Sequence, residues 1–232
     1  MSRPAHQIGV TIPVLETGRL ILREPREADF AAMLAFNDSP RSTFVGGGRD
    51  RQWVWRGLLA NIGHWALRGY GLFSVDTRAG DFIGRIGVIY HDGWDEPELG
   101  WHLFDGFEGH GYAVEAARAA KADYHARHTS APLISYIDPA NRKSEALAGV
   151  LGATPERETV FLDKTVRVWR HSGPDSPRPI RVDERSGATG DADFDGSRVR
   201  IRRPVARAGV STRVETQGRR KEDAIKTSKR GD

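Results

Sequence analysis

The stretch Glu98-Leu-Gly-Trp-His-Leu-Phe-Asp-Gly-Phe-Glu-Gly-His-Gly-Tyr-Ala-Val-Glu-Ala116 decides how this chain is read. A strand ends near Phe104, a glycine-rich turn follows, and a helix opens at once. A helix that starts this way leaves its first backbone N–H groups without carbonyl partners. Those donors, together with the helix dipole, suit a diphosphate. Gly109 and Gly111 keep a Cβ out of the approach path, and Ala113 is also small. A P-loop requires Gly-Lys-Ser/Thr, whereas Gly111 is followed by Tyr112. A dinucleotide fingerprint requires a third small residue where Val114 stands.

Working outward, Arg19–Arg23 alternates as a strand, and Pro25 and Glu27 open a helix reaching about Asn37. Gly46–Gly48 breaks the chain before a second helix over about Arg51–Leu67, with Trp55, Leu58, Leu59 and Ile62 at helical spacing. Tyr70–Asp76, Phe82–Tyr90 and Glu98–Phe104 read as strands. The helix of the decisive stretch runs from about Gly109 to Arg127. Leu133–Ile137 is a short strand, Ala140–Leu151 a helix stopped by Gly152, and about Glu156–Leu162 and Thr165–Arg170 are closing strands. The order β-α-α-β-β-β-α-β-α-β-β predicts a mixed α/β sheet with helices on its faces.

All six tryptophans of the 232 residues lie before His171. The run Ser172–Pro179 then breaks any regular element. Beyond it Phe194 is the only aromatic residue. Such a segment cannot bury enough apolar surface to offset its ordering entropy, so 172–232 is expected as a mostly disordered tail behind a domain at 14–171. The net charge of +4 belongs to that tail, where 15 Lys and Arg face 10 Asp and Glu. The body is close to neutral, which argues against nucleic-acid binding by charge. The absence of cysteine excludes disulfides, a thiol nucleophile and cysteine metal sites, and fits a cytoplasmic protein. No signal peptide or membrane span is expected. His125 and His128 lack a third metal-ligating partner, so no metal is expected.

Glu98-Leu-Gly-Trp-His-Leu followed by Gly109-His-Gly-Tyr-Ala-Val-Glu-Ala resembles the GNAT acetyltransferase superfamily, and most of all its RimJ/RimL-type branch. Arg19-Leu-Ile-Leu-Arg23 with Glu27-Ala-Asp29 resembles that branch's opening, and Asp138-Pro-Ala-Asn-Arg-Lys-Ser144 with Leu151-Gly-Ala153 its later segment. The resemblance spans roughly 15–170. It implies a mostly antiparallel central sheet flanked by helices, and transfer of an acetyl group from acetyl-CoA to an amine. Backbone N–H groups of Gly109, His110, Gly111, Tyr112 and Ala113 would hold the pyrophosphate of CoA. The backbone of Leu103 and Phe104 would pair with the pantetheine, and Asn141 and Ser144 would meet the cofactor from the next helix. The family's frequent Arg or Gln three residues before the first glycine is replaced here by Gly106.

A primary amine attacks a thioester only when unprotonated, so a base is required. The resemblance puts a base-bearing carboxylate on this strand in some members, which makes Glu98 the first candidate, with Leu99 and Trp101 as neighbours that would raise its pKa; Asp138, at the end of the next strand, is the second. The tyrosine that serves as acid in some relatives is replaced by Ala148. The expected acceptor is a protein N-terminus or a small amine, with the chain a monomer or homodimer. The competing readings are a catalytically silent acyl-CoA-binding sensor and a ribosome- or RNA-associated protein acting through its tail.

Overall fold

The computed structural model describes residues 9–128, 132–173 and 200–202. β1 (Val14–Glu16) and β2 (Leu20–Arg23) form a hairpin. A 3-10 turn over Glu27–Asp29 leads into α1 (Phe30–Asp38), and a second over Pro40–Val45 precedes α2 (Arg51–Arg68). β3 (Leu72–Thr77), β4 (Phe82–Ile89) and β5 (Glu98–Leu103) form a meander. α3 (Tyr112–Arg127), β6 (Ile134–Ile137), α4 (Arg142–Val150), β7 (Thr154–Phe161) and β8 (Lys164–Arg170) complete the body. β9 (Arg200–Arg202) is a separate short strand.

The sheet runs β7-β8-β6-β5-β4-β3-β2-β1-β9, and every neighbouring pair is antiparallel except β5 and β6. This is the expected mixed, mostly antiparallel sheet flanked by helices. α3 lies on one face. Its row Ala116, Ala117, Ala119 and Ala120 is fully buried against Leu22, Val75, Ile86 and Leu99, because small side chains let the helix settle close to the strands. α1 and α2 cover the other face, where Met33, Phe36, Val54 and Leu58 cluster with Phe104 just past the end of β5. α4 seats Ala148 over Ile137 and Ala153.

The expected elements differ from the structure mainly at their ends. The helix expected from Glu27 starts as a 3-10 turn, and α3 starts at Tyr112 rather than Gly109 because Gly109 and Gly111 hold φ of 78° and 74°, outside the helical region. β1 was not anticipated. Within the stretch expected as a mostly disordered tail, Arg200–Arg202 forms β9, pairing Ile201 with Leu15 of β1. Residues 174–199 and 203–232 of that stretch lie outside the described residues.

Candidate active site

The site begins where a ladder fails. β5 and β6 share one registered pair, Glu98 with Ile134, beside a 3.0 Å bond from Ile134 N–H to the Pro97 carbonyl. Beyond it, side chains replace backbone pairing. The Glu98 carboxylate accepts the Tyr136 N–H at 3.2 Å, and Ser135 Oγ donates to the Leu99 carbonyl at 2.6 Å. The strands therefore diverge toward their C-terminal ends. On the other side of β5, the Phe104 N–H donates to the Ile83 carbonyl at 2.8 Å. An antiparallel ladder alternates its bonding direction. Leu103 and Trp101 must then turn their backbone groups away from β4, into the split.

This corrects one expectation. Phe104 has its N–H on Ile83 and its carbonyl on the Phe107 N–H, so Trp101, not Phe104, accompanies Leu103 on the open edge. The sequence does not announce strand parity; only the β4 register does. The Leu103 carbonyl is covered by Arg41 Nε at 3.1 Å.

The front of α3 faces the same split. Gly111 occupies the N-cap position, and no side chain caps the helix. A Cβ added at Gly109 would meet nothing within 4 Å, and at Gly111 only the Arg19 guanidinium at 3.5 Å. The space in front of these amides is thus open, and the glycines are also required by their positive φ. Behind the turn, Glu115 is buried in the first turn of α3. It accepts from Thr17 Oγ1 at 2.6 Å, from the Arg19 N–H at 2.9 Å and from Arg19 Nε at 2.7 Å. Arg19 Nη1 also donates to the His110 carbonyl at 2.8 Å, and its guanidinium lies over the Tyr112 ring. Arg19 thus neutralises Glu115 and ties the glycine turn to the β1–β2 hairpin. The sequence reading missed this role.

α4 forms the opposite bank. Asn141 caps it by accepting the Ser144 N–H at 3.1 Å, and Ser144 Oγ accepts from Trp101 Nε1 at 3.1 Å. Together these elements enclose a groove of about 890 Å³. Seven of the expected cofactor residues line it: Leu103, Gly109, Gly111, Tyr112, Ala113, Asn141 and Ser144. Phe104 and His110 do not. Cations stand at its mouth. Glu108 pairs with Arg41 on one bank and with Lys143, 3.4 Å away, on the other. The groove therefore offers an uncapped helix end, free strand edges and flanking cations, which suit a diphosphate followed by an extended amide-bearing arm.

Glu98 lies at the bottom of the split, behind the groove lining. Burial pushes its carboxyl up to about 7, against the opposing pull of the Tyr136 N–H. Part of the residue remains accessible. Asp138 is engaged otherwise: its Oδ1 accepts the Ala140 N–H at 2.8 Å and its carbonyl the Asn141 N–H at 2.8 Å, a turn that launches α4. Tyr136 and Phe161 stack at 4.1 Å and 7°, and Trp94 meets both edge-on. The β7–β8 turn reaches across the site, with Lys164 Nζ 3.4 Å from the Thr43 carbonyl. Among the described residues no group of three or more His, Cys, Asp or Glu is placed to hold a metal, and no helix is long and apolar enough to cross a membrane. His125 is buried and His128 packs on Tyr70 and Tyr124.

Comparison with known proteins decides the family. Residues 19–154 match the acetyltransferase (GNAT) domain model. The chain belongs to the GNAT acetyltransferase family. It is 36% identical to an acetyltransferase of known structure from Agrobacterium tumefaciens strain C58, covering 73% of this chain and 99% of that one with a TM-score of 0.66. The YkkB protein of Bacillus subtilis (strain 168) is 30% identical over 182 residues, 74% of this chain and 94% of YkkB. The RimL ribosomal L7/L12 α-N-protein acetyltransferase shares the fold at 15% identity, with a TM-score of 0.59 over 74% of this chain and 98% of that one. GNAT acetyltransferases use acetyl-CoA and act on amine acceptors, and the groove's helix end and split strands are the parts of this chain that fit that co-substrate.

Proposed function

We propose that this GNAT protein is an N-acetyltransferase that moves the acetyl group of acetyl-CoA to a primary amine by direct attack, with residues 14–171 as the catalytic unit. The observation that carries the reading is the uncapped front of α3, open beside the edge of Leu103 and Trp101 that β6 leaves without a strand partner. The diphosphate rests on the amides from Gly109 to Ala113, and the pantetheine lies along that edge. An edge N–H at Leu103 polarises the thioester carbonyl. The amine nitrogen forms the new bond to the carbonyl carbon, the C–S bond breaks, and the sulfur leaves as thiolate. The proton lost by the amine passes through a water to Glu98, whose raised pKa places it near neutrality as a base. Asp138, held in its turn, serves the start of α4 instead. With Ala148 buried in α4, the thiolate departs without a dedicated acid from that helix. A chain without cysteine favours direct transfer over the commonest acyl-enzyme route.

The acceptor is a protein N-terminus, as the name of the RimL neighbour suggests, or a small amine, and the cytoplasm is the compartment that fits both. Two measurements test the reading. Acetyl-CoA should raise the unfolding temperature of the protein, and a panel of primary amines should release free thiol from acetyl-CoA. Stabilisation without thiol release from any amine would leave only an acyl-CoA-binding protein. No stabilisation would remove the site itself.

A further inference from the structure

The acceptor end of the groove carries a charge pattern that the transfer reaction does not use. Side chains alternate along β5, so Glu98, Gly100 and His102 face the α1/α2 side together. The register places Arg23, Ser74, Arg85 and His102 in one row across β2 to β5. Arg23 in this row is fully matched. It donates to both Asp29 oxygens at 3.0 and 2.8 Å and to Asp76 Oδ1 at 2.9 Å. Asp29 is saturated in turn by Ser74 Oγ at 2.6 Å and the Arg26 N–H at 2.9 Å.

Arg85 is left over. Among the described residues it forms no ion pair, and its buried Nε has no partner. Its one hydrogen bond runs from Nη2 to His102 Nδ1, at 3.2 Å. A guanidinium only donates, so Nδ1 must be the lone-pair nitrogen and the hydrogen of this imidazole must sit on Nε2. His102 is held neutral, pushed down to about 3 by burial and by the Arg85 charge. Its ring stacks on Phe36 with centroids 5.9 Å apart and lines the groove near Phe44 and Val45. Its Nε2–H has no acceptor among the described residues. The wall of the groove thus presents one fixed N–H donor with a cation behind it that has no carboxylate in contact and feels only the Arg23-paired Asp29 from a distance. That arrangement repels an ammonium group and attracts an anionic oxygen.

We propose that His102, positioned and polarised by Arg85, binds a carboxylate carried by the acceptor, so that the preferred acceptors are amines that also bear an acid group. This rests on the transfer reading above and names its substrate class. His102 is the contact, and Arg85 acts through it.

Matched pairs separate the outcomes: tyrosine against tyramine, 5-aminopentanoate against pentylamine, and Ser-Asp against Ser-Asn peptide amides. Binding to protein saturated with CoA is read by calorimetry, and turnover by thiol release. The acid-bearing member of each responding pair should bind at least tenfold more tightly, and where turnover occurs the preference should appear in KM. His102→Phe should bring the ratio to within about twofold of one, and His102→Gln, which keeps a side-chain N–H, should restore part of it. Arg85→Gln should lower it through His102. Equal or weaker binding of the acid-bearing members overturns the proposal, as does a preference that survives in His102→Phe. Absence of thiol release with every amine strikes the transfer reading instead, while the binding ratios still decide the role of His102.

Discussion

Glu98→Gln should make the protein more stable and less active, and the size of the first effect follows from the site. The carboxyl is moved from an ordinary 4.5 to about 7, with burial as the cause. A tenfold change in acidity is worth about 1.4 kcal/mol, so ionising this group in the folded state costs about 3 kcal/mol in full, and about 2 kcal/mol after allowance for its partial exposure. The sign follows from proton binding. The folded state holds the Glu98 proton more tightly than the unfolded state does. Stability from this group is therefore lost as pH rises from about 4.5 to about 7 and stays low above that. Glutamine keeps an oxygen for the Tyr136 N–H and carries no charge. Urea unfolding at pH 8 should show the variant more stable by about 2 kcal/mol, a midpoint shift of about 1 M at an ordinary slope. At pH 4.5 the two proteins should unfold together. Over the same range wild-type kcat/KM should rise with a midpoint near 7, and the variant should lose that limb together with about a hundredfold in kcat. Equal stability at pH 8, or a difference that does not close in acid, would refute the buried-carboxylate argument. Unchanged turnover would refute the assignment of the base.

Three further outcomes follow from the same geometry. Gly111→Ala forces a side chain into φ of 74°, at about 1–2 kcal/mol, and should raise the KM for acetyl-CoA with a lower unfolding temperature. Arg19→Ala leaves the Glu115 carboxylate unneutralised at the front of α3 and frees the His110 carbonyl; acetyl-CoA KM should rise about tenfold, with partial rescue by Arg19→Lys, and an unchanged KM would deny Arg19 its positioning role. Asp29→Asn breaks the buried pair with Arg23 and should destabilise the fold by about 3–5 kcal/mol, read by chemical denaturation; a loss under about 1 kcal/mol would show that Asp76 alone suffices for Arg23.

Much of the fold was legible because its signals are local. The alternation of Arg19–Arg23, the glycine turn before α3 and the Gly152 stop after α4 each report their own neighbourhood. β1 and β9 were not, since three residues carry almost no periodicity and exist as strands only through each other and β2. The same division runs through the site. Gly109 and Gly111 declare themselves by turn chemistry, and Asn141 and Ser144 by the likeness of their segment to the family's. Trp101 in place of Phe104, Arg41 on the Leu103 carbonyl, and His102 before Arg85 depend on which strand lies opposite and in which register. Such facts arise between distant segments, and no window of sequence contains them.

The groove and the proposed base have one physical origin. A parallel ladder that stops after a single pair exposes the backbone of Leu103 and Trp101, which makes an edge for an incoming amide chain. The same break strips the Tyr136 N–H of a backbone acceptor, and a buried N–H without one is costly. Glu98 fills that vacancy. Its position at the point of the wedge supplies both the acceptor for Tyr136 and the desolvation that lifts its pKa. A residue satisfying only the first need, such as glutamine, would keep the strands apart and the groove open. It would have no proton affinity near neutrality, so the split alone would yield an acyl-CoA-binding protein. On the proposed reading, glutamate at this one position turns the same architecture toward transfer.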